Sequence, residues 1–262
     1  LVLRRQRQMC IRDRINFRNN ITVADIEGIK ALNVSTQIRA KKLSEKYNVP
    51  LINSESAETY VSIDGQSILH SGNYKLENSF SEGKFRARIS QYQGESLLKK
   101  AIGWQSTSQK HILDTTGGLG HDAFILALLG QKITVLEKNT GLCILIEEAL
   151  NNLPNLSYFN DAKNNISVIN KDSRAFLSSV ENFDVIYVDP MFNSKKKLKR
   201  TKQMEFLDNY LEEYDDPSVE FYKSNFKRLV IKKELRAAPS IKDCSAISFK
   251  GSSVRYLSLI HI

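Results

Sequence analysis

An α/β protein is predicted, with a doubly wound, largely parallel sheet preceded by a small α+β unit, and three features carry the prediction. From about residue 110, short apolar runs alternate with segments of helical period. Those runs are apolar at nearly every position, as strands covered on both faces of a parallel sheet must be. Residues before about 95 lack this rhythm and alternate polar with apolar side chains around an Asp-Gly pair, the mark of a hairpin.

In the first unit, taken as residues 15–93, "AKKLSEKYNV" (40–49) has helical period. "TYVSIDGQSILHSG" (59–72) reads as two strands joined at Asp64-Gly65. The main unit, taken as 94–256, opens with a helix in "GESLLKKAIGW" (94–104). Its strands are "HILD" (111–114), "KITVLE" (132–137), "ISVIN" (166–170) and "DVIYV" (184–188), with "RLVIKK" (228–233) and "SAISFK" (245–250) as later strands. Helices are read through "HDAFILALLG" (121–130) and "GLCILIEEAL" (141–150), with a short one in "SRAFLSSV" (173–180). Strand and helix in alternation define the doubly wound class.

The ends are set apart. "RRQRQMCIRDR" (4–14) and "LSLIHI" (257–262) can be back-translated to the two orientations of one transposon-type adapter, so residues 1–14 and 257–262 are read as adapter-derived, the alternative being a natural basic arm, and kept out of fold reasoning. The chain carries a formal +9, of which five Arg and one Asp in residues 1–14 supply +4. The remaining +5 is a mildly basic balance that suits a polyanionic partner. An apolar share of 41% is enough for a core. No run approaches a membrane span of about 18 apolar residues, so no membrane partner is expected. Cys10 lies in the adapter segment, and Cys143 and Cys244 have neither a disulfide framework nor metal-ligand spacing. A reducing cytoplasm and no metal are expected, and the oligomeric state is left open.

Residues 114–123, "DTTGGLGHDA", hold the first functional signal. Gly118-x-Gly120-x-x-Ala123 sits between a strand and a helix, where glycines allow a tight turn and close approach of a ligand. Amides from His121 and Asp122 onward point the positive end of the helix dipole at that ligand. Glu137 closes the next strand about 20 residues on, placed to accept from ribose hydroxyls. These features suit a dinucleotide and S-adenosylmethionine equally. Asp114 shifts the balance, because a carboxylate there repels a pyrophosphate and attracts the ammonium of a methionine moiety, directly or through water; the alternative is that it merely caps the loop. Asp172-Ser173 follows the third strand, where an acid can accept from an adenine amino group; Asp172 is equally a natural helix N-cap.

"DVIYVDPMF" (184–192) is the second signal. Its Asp189-Pro190-Met191-Phe192 resembles the Asp/Asn-Pro-Pro-Tyr/Phe motif of amino-group methyltransferases. An aromatic exocyclic amine is a poor nucleophile, since its lone pair is delocalised into the ring. Asp189 and the Pro190 carbonyl, accepting both N–H groups, would favour a pyramidal nitrogen aimed at a sulfonium methyl, with Phe192 stacked on the base. The Lys195, Lys196, Lys197, Lys199 and Arg200 run follows directly. It reads either as a solvated loop or as a grip on phosphates beside the target base. Arg86 and Arg88, near the junction of the units, read more readily as ordinary exposed arginines than as an extension of that surface.

Taken with these residues, the chain resembles the bacterial 16S ribosomal RNA guanine-N2 methyltransferases of the J type, which have a class I, Rossmann-like methyltransferase sheet. The resemblance runs from about Gly94 to Tyr256, through "LDTTGGLGHDAFILALLG", "VLEKN", "DVIYVDPMF", "RLVIKK" and "KGSSVRY". It implies S-adenosylmethionine as cofactor, 16S rRNA or the small ribosomal subunit as partner, and cofactor contacts at His121-Asp122, Glu137-Lys138, Asp172-Ser173 and Asp189. Three departures stand out: "ISQYQGE" where the family often has a glycine-rich basic stretch, Asn193 in place of a proline, and a poor match over residues 15–80. Methylation of another amine, such as adenine N6 or a protein glutamine, shares the Asp189 motif. A non-catalytic RNA-binding assembly factor would not need Asp189 or Phe192, and a nicotinamide oxidoreductase would be indifferent to Asp189.

Overall fold

The computed structural model describes residues 25–53, 56–191, 202–211, 216–237 and 246–260. Phe192, Asn193, the basic run Lys195–Arg200, Cys10, Cys244 and residues 1–14 and 261–262 lie outside the described residues.

The first unit is a four-stranded sheet in the order β1-β2-β3-β4 (Gly28–Ala31, Thr59–Ile63, Ser67–Ser71, Tyr74–Glu77) with helix α1 (Gln37–Tyr47). Strands β2 and β3 form the expected hairpin, with Ile63 opposite Ser67. The parallel pairing of β1 with β2 was not legible in the sequence, because the four residues "GIKA" carry too little pattern. Helices α2 (Gly83–Ser90) and α3 (Ser96–Ile102) lead into the second unit.

That second unit is a seven-stranded sheet in the order β10-β11-β9-β8-β5-β6-β7. Its parallel part comprises β5 (His111–Asp114), β6 (Lys132–Glu137), β7 (Ile166–Asn170), β8 (Val185–Val188) and β9 (Arg228–Glu234). Helices α4 (His121–Leu128), α5 (Thr140–Asn151) and α6 (Ser157–Asn164) cover it, and a 3-10 helix over Ser173–Asn182 stands where a short helix was expected. The chain crosses from β7 at one edge back to β8 beside β5. The sheet order therefore reverses between β5 and β8, and in open α/β sheets a ligand crevice forms outside the carboxyl ends of the strands at such a reversal. Asp114 and Asp189 stand at those two ends.

The last two strands, β10 (Ile247–Lys250) and β11 (Val254–Ile260), run antiparallel, with β11 inserted beside β9. Residues 257–260, set aside in the sequence reading, continue β11 past residue 256: Leu257 pairs with Ile231 and Leu259 with Leu229, and both leucines are buried. An alternating Leu-Ser-Leu-Ile segment suits a half-buried strand whatever its origin.

The two units share a core. Ile29, Val61, Leu69 and Leu76 of the first sheet pack with Leu142, Ile144 and Leu145 of α5 and with Phe206 and Leu207 of helix α7 (Lys202–Tyr210). Gly141 permits this approach: a Cβ there would stand 2.8 Å from both Leu69 Cδ1 and Tyr210 Oη. Asp25 caps the start of α5, accepting from Thr140 N at 2.6 Å and from the Tyr210 hydroxyl. Among the described residues, no helix is long and apolar enough to cross a membrane.

Candidate active site

The Thr-Thr pair after Asp114 stitches the two central strand ends together. Thr115 donates to the Tyr187 carbonyl from its N–H at 2.9 Å and its hydroxyl at 3.0 Å. The hydroxyl of Thr116 accepts from Asp189 N at 2.7 Å. Next comes the glycine turn, whose Gly117 packs flat on β6: a Cβ would meet Val135 Cγ1 at 2.6 Å and the Leu136 carbonyl at 3.1 Å. Gly118 (φ 54°) and Gly120 (φ 72°) take left-handed backbone, which glycine adopts without the penalty a side chain brings. A Cβ on Gly118 would meet only the Thr116 carbonyl, at 3.9 Å, so the space above the turn is open.

Glu137 anchors that turn. Its Oε2 accepts from Gly118 N at 2.7 Å, and its Oε1 from the backbone N–H and the side-chain amide of Asn139 at 2.8 Å each. Burial raises its pKa, against the pull of these donors. Across from it, Asp172 caps the 3-10 helix by accepting from Arg174 N at 2.9 Å, as the N-cap reading anticipated.

A cleft of about 620 Å³, its open mouth included, lies between these segments. Gly118, Glu137, Lys138, Asp172, Ser173, Asp189 and Pro190 line it, so seven of the expected residues share one wall system. Asp114, Gly120, His121 and Asp122 stand behind that surface instead. His121 stacks on Phe85 with ring centroids 4.2 Å apart, and burial pushes its pKa down to about 4, leaving it neutral. Sequence reasoning missed Thr115, Thr116, Asn139 and Lys171 of the lining, together with Met191, Leu211 and Pro217. The doubled threonine was visible, but its role depends on β8 lying beside β5.

A buried ionic network runs behind the cleft. Asp122 accepts from Tyr187 Oη at 2.5 Å, from Lys232 Nζ at 2.8 Å and from Arg88. Lys232 Nζ also donates to Asp189 Oδ2 at 2.6 Å. Burial would raise Asp122, but Lys232 and Arg88 outweigh it and hold its pKa far down. Asp189 is raised: burial is the largest cause and the Asp122 charge adds to it, while Lys232 pulls the other way. Arg88 therefore faces inward, to Asp122 and Glu95, and not outward as part of a phosphate-binding surface. The reason is electrostatic: an Arg within reach of a buried carboxylate is held there.

These residues fit S-adenosylmethionine. Asp114 is 3% exposed and receives one N–H, from Thr116, while Asp122, Asp189 and Glu137 all add negative charge around it. Burial first, then those carboxylates, push its pKa up to about 8. Such a cluster disfavours a pyrophosphate and favours a cationic amino-acid end. The cleft offers Glu137 to a ribose and the apolar Leu136 and Leu142 beside it.

Residues 42–257 match the family described as "Putative SAM-dependent methyltransferase", and the chain belongs to that family. It is similar to the "Ribosomal RNA small subunit methyltransferase J" of Francisella tularensis subsp. novicida (strain U112), 34% identical over 148 residues, which are 56% of this chain and 61% of that protein. The protein of the same name from Francisella philomiragia is 31% identical over 152 residues, 57% of this chain and 63% of the relative. The chain thus spans somewhat under two thirds of these curated relatives. Its fold is shared with a SAM-dependent methyltransferase from Neisseria gonorrhoeae: TM-score 0.67 at 17% identity, over 89% of this chain and 95% of that one.

Proposed function

We propose that the chain methylates the exocyclic N2 of a guanine in 16S ribosomal RNA, with S-adenosylmethionine as donor, in the cytoplasm. One observation carries the reading: the Asp189-Pro190 corner lines the same cleft as the glycine turn and Glu137, so an amine acceptor and a cofactor cradle face one space. The names of the curated relatives support RNA of the small subunit as substrate.

The roles follow from placement. Glu137 accepts from the ribose hydroxyls, Asp172 and Ser173 meet the adenine, Lys138 flanks them, and Asp114 supplies negative charge for the ammonium. When bound, S-adenosylmethionine supplies a methyl group on a positively charged sulfur. Asp189 and the Pro190 carbonyl accept the two N–H groups of the guanine amine and orient its lone pair. Asp189 then takes the proton that N2 gives up as the nitrogen–carbon bond forms and the carbon–sulfur bond breaks. Phe192 stacks on the base, and Lys195, Lys196, Lys197, Lys199 and Arg200 hold the flanking phosphates.

The test is transfer of labelled methyl to small-subunit particles from a strain lacking the modification, with the labelled nucleotide mapped. Label on a guanine N2 is the expected result, and Asp189→Ala is expected to lower the rate by about 10²-fold or more. Label elsewhere, or a variant as fast as the parent, rejects the reading.

A further inference from the structure

We propose that Lys232 is a positioning residue for methyl transfer: its ammonium, pinned by Asp122, fixes one carboxylate oxygen of Asp189 and supplies the positive charge opposite it. The proposal rests on the role given to Asp189 above. Strand β9 pairs with β8 so that Val188 faces Ile231, which brings the next residues, Asp189 and Lys232, side by side. Lys232 lies on the same face of β9 as Val230, which is fully buried in the core beneath α4. A lysine there costs solvation that an apolar residue would not, and packing alone gives no reason for it.

The ammonium is tightly held. It donates to Asp189 Oδ2 at 2.6 Å and to Asp122 Oδ2 at 2.8 Å, while Asp122 is itself fixed by the Tyr187 hydroxyl and Arg88. Arg88 is anchored in turn by Glu95 at 2.5 Å. Lys232 therefore has no room to follow Asp189 if that side chain turns. Lys232 holds Asp189 at Oδ2, and the Asp122 carboxylate also lies within hydrogen-bonding reach of Asp189.

The charges facing Asp189 make the case. Asp122 on α4 and Asp114 on β5 add negative charge, with Glu137 on β6 behind them. Tyr187 on β8 and Tyr256 on β11 are neutral phenols whose pKa values are raised, and His121 is neutral. Arg88 on α2 is taken up by Asp122 and Glu95. Among the described residues, Lys232 is the cation in direct contact with Asp189. Without it, Asp189 would hold a proton at neutral pH, and a protonated acid donates where the amine needs an acceptor. Lys232 stays an ammonium throughout the transfer.

The experiment compares Lys232→Met, Lys232→Arg, Asp122→Asn and the double variant Lys232→Met/Asp122→Asn, which also removes the carboxylate that Lys232→Met leaves uncompensated. Two readouts are taken: the pH profile of kcat on the particles, and the carboxyl-carbon NMR titration of Asp189, identified by its loss in Asp189→Asn. In Lys232→Met relative to the parent, and in the double variant relative to Asp122→Asn alone, Asp189 is expected to titrate about one pH unit or more higher. The acid limb of kcat moves alkaline with it, and kcat at neutral pH falls about tenfold or more. Lys232→Arg restores most of the limb. A double variant with the titration and pH profile of Asp122→Asn alone would mean that Lys232 only holds the fold, and overturns the proposal. If Asp189→Asn itself keeps full kcat, it is the role of Asp189 that fails, and the proposal with it.

Discussion

Asp114 shows what a single side chain contributes and demands. It is buried behind the glycine turn with a raised pKa of about 8, against roughly 3.9 in an unfolded chain. Between those values the folded, ligand-free protein keeps a proton that the unfolded chain has released. The stability tied to this group is therefore complete below about pH 4 and declines as pH rises toward 8, by up to about 1.4 kcal/mol per pH unit. Denaturation curves from pH 5 to 8 are expected to show this decline, and Asp114→Asn to flatten it. Cofactor binding reverses the demand, since an ammonium favours the ionised carboxylate. Affinity by calorimetry is expected to strengthen with pH over the same interval, with a proton released to buffer, and Asp114→Asn to bind weakly with neither effect. A parent protein that binds with no proton release would remove Asp114 from the ammonium site.

At the scale of elements, the strand ends do the positioning. The β5 turn reaches the floor of the cleft only because Gly117 lies flat on β6 and Thr115 and Thr116 tie it to β8. Gly117→Ala must push Val135 or the Leu136 backbone aside, at a cost of about 1–3 kcal/mol in stability. The same displacement moves Gly118 away from Glu137, so S-adenosylmethionine affinity is expected to fall as well. A variant with unchanged denaturant midpoint and affinity would show that the turn has slack. Elements with long periodic patterns were legible: β5, β6, β7, β8 and β9 and helices α4 and α5 lie where apolar runs and helical spacing put them. The 3-10 helix at Ser173–Asn182 was seen only as a helix, because its apolar spacing does not separate the two forms. The antiparallel sense of β10 and β11 left no local trace, since a half-buried strand alternates in the same way in either direction.

At the scale of the whole molecule, the first unit buttresses the cofactor side of the second. Its sheet packs on α5, the helix that begins just after Glu137, and on α7, and the Leu211 that follows α7 lines the cleft. Leu69 is fully buried at that junction. Leu69→Ala is expected to cost about 2–5 kcal/mol and to shift one cooperative unfolding transition, read by both tryptophan fluorescence and circular dichroism. Two separated transitions, with only one moved, would show that the units unfold independently. Arg88 teaches the same lesson: its sequence neighbours suggested a surface role, and only the placement of α4 beneath α2 turns it to Asp122.

The sequence by itself determined the α/β class, the glycine turn, the acid at the end of the second strand and the Asp-Pro corner, because each is written in contiguous residues whose spacing repeats a backbone geometry. Tertiary structure alone decided which of these meet in one cleft, that Asp122 and His121 turn behind it, and that Lys232 reaches Asp189 across neighbouring strands. Strand order and burial set those contacts, and the one between Lys232 and Asp189 joins residues that lie 43 positions apart in the chain.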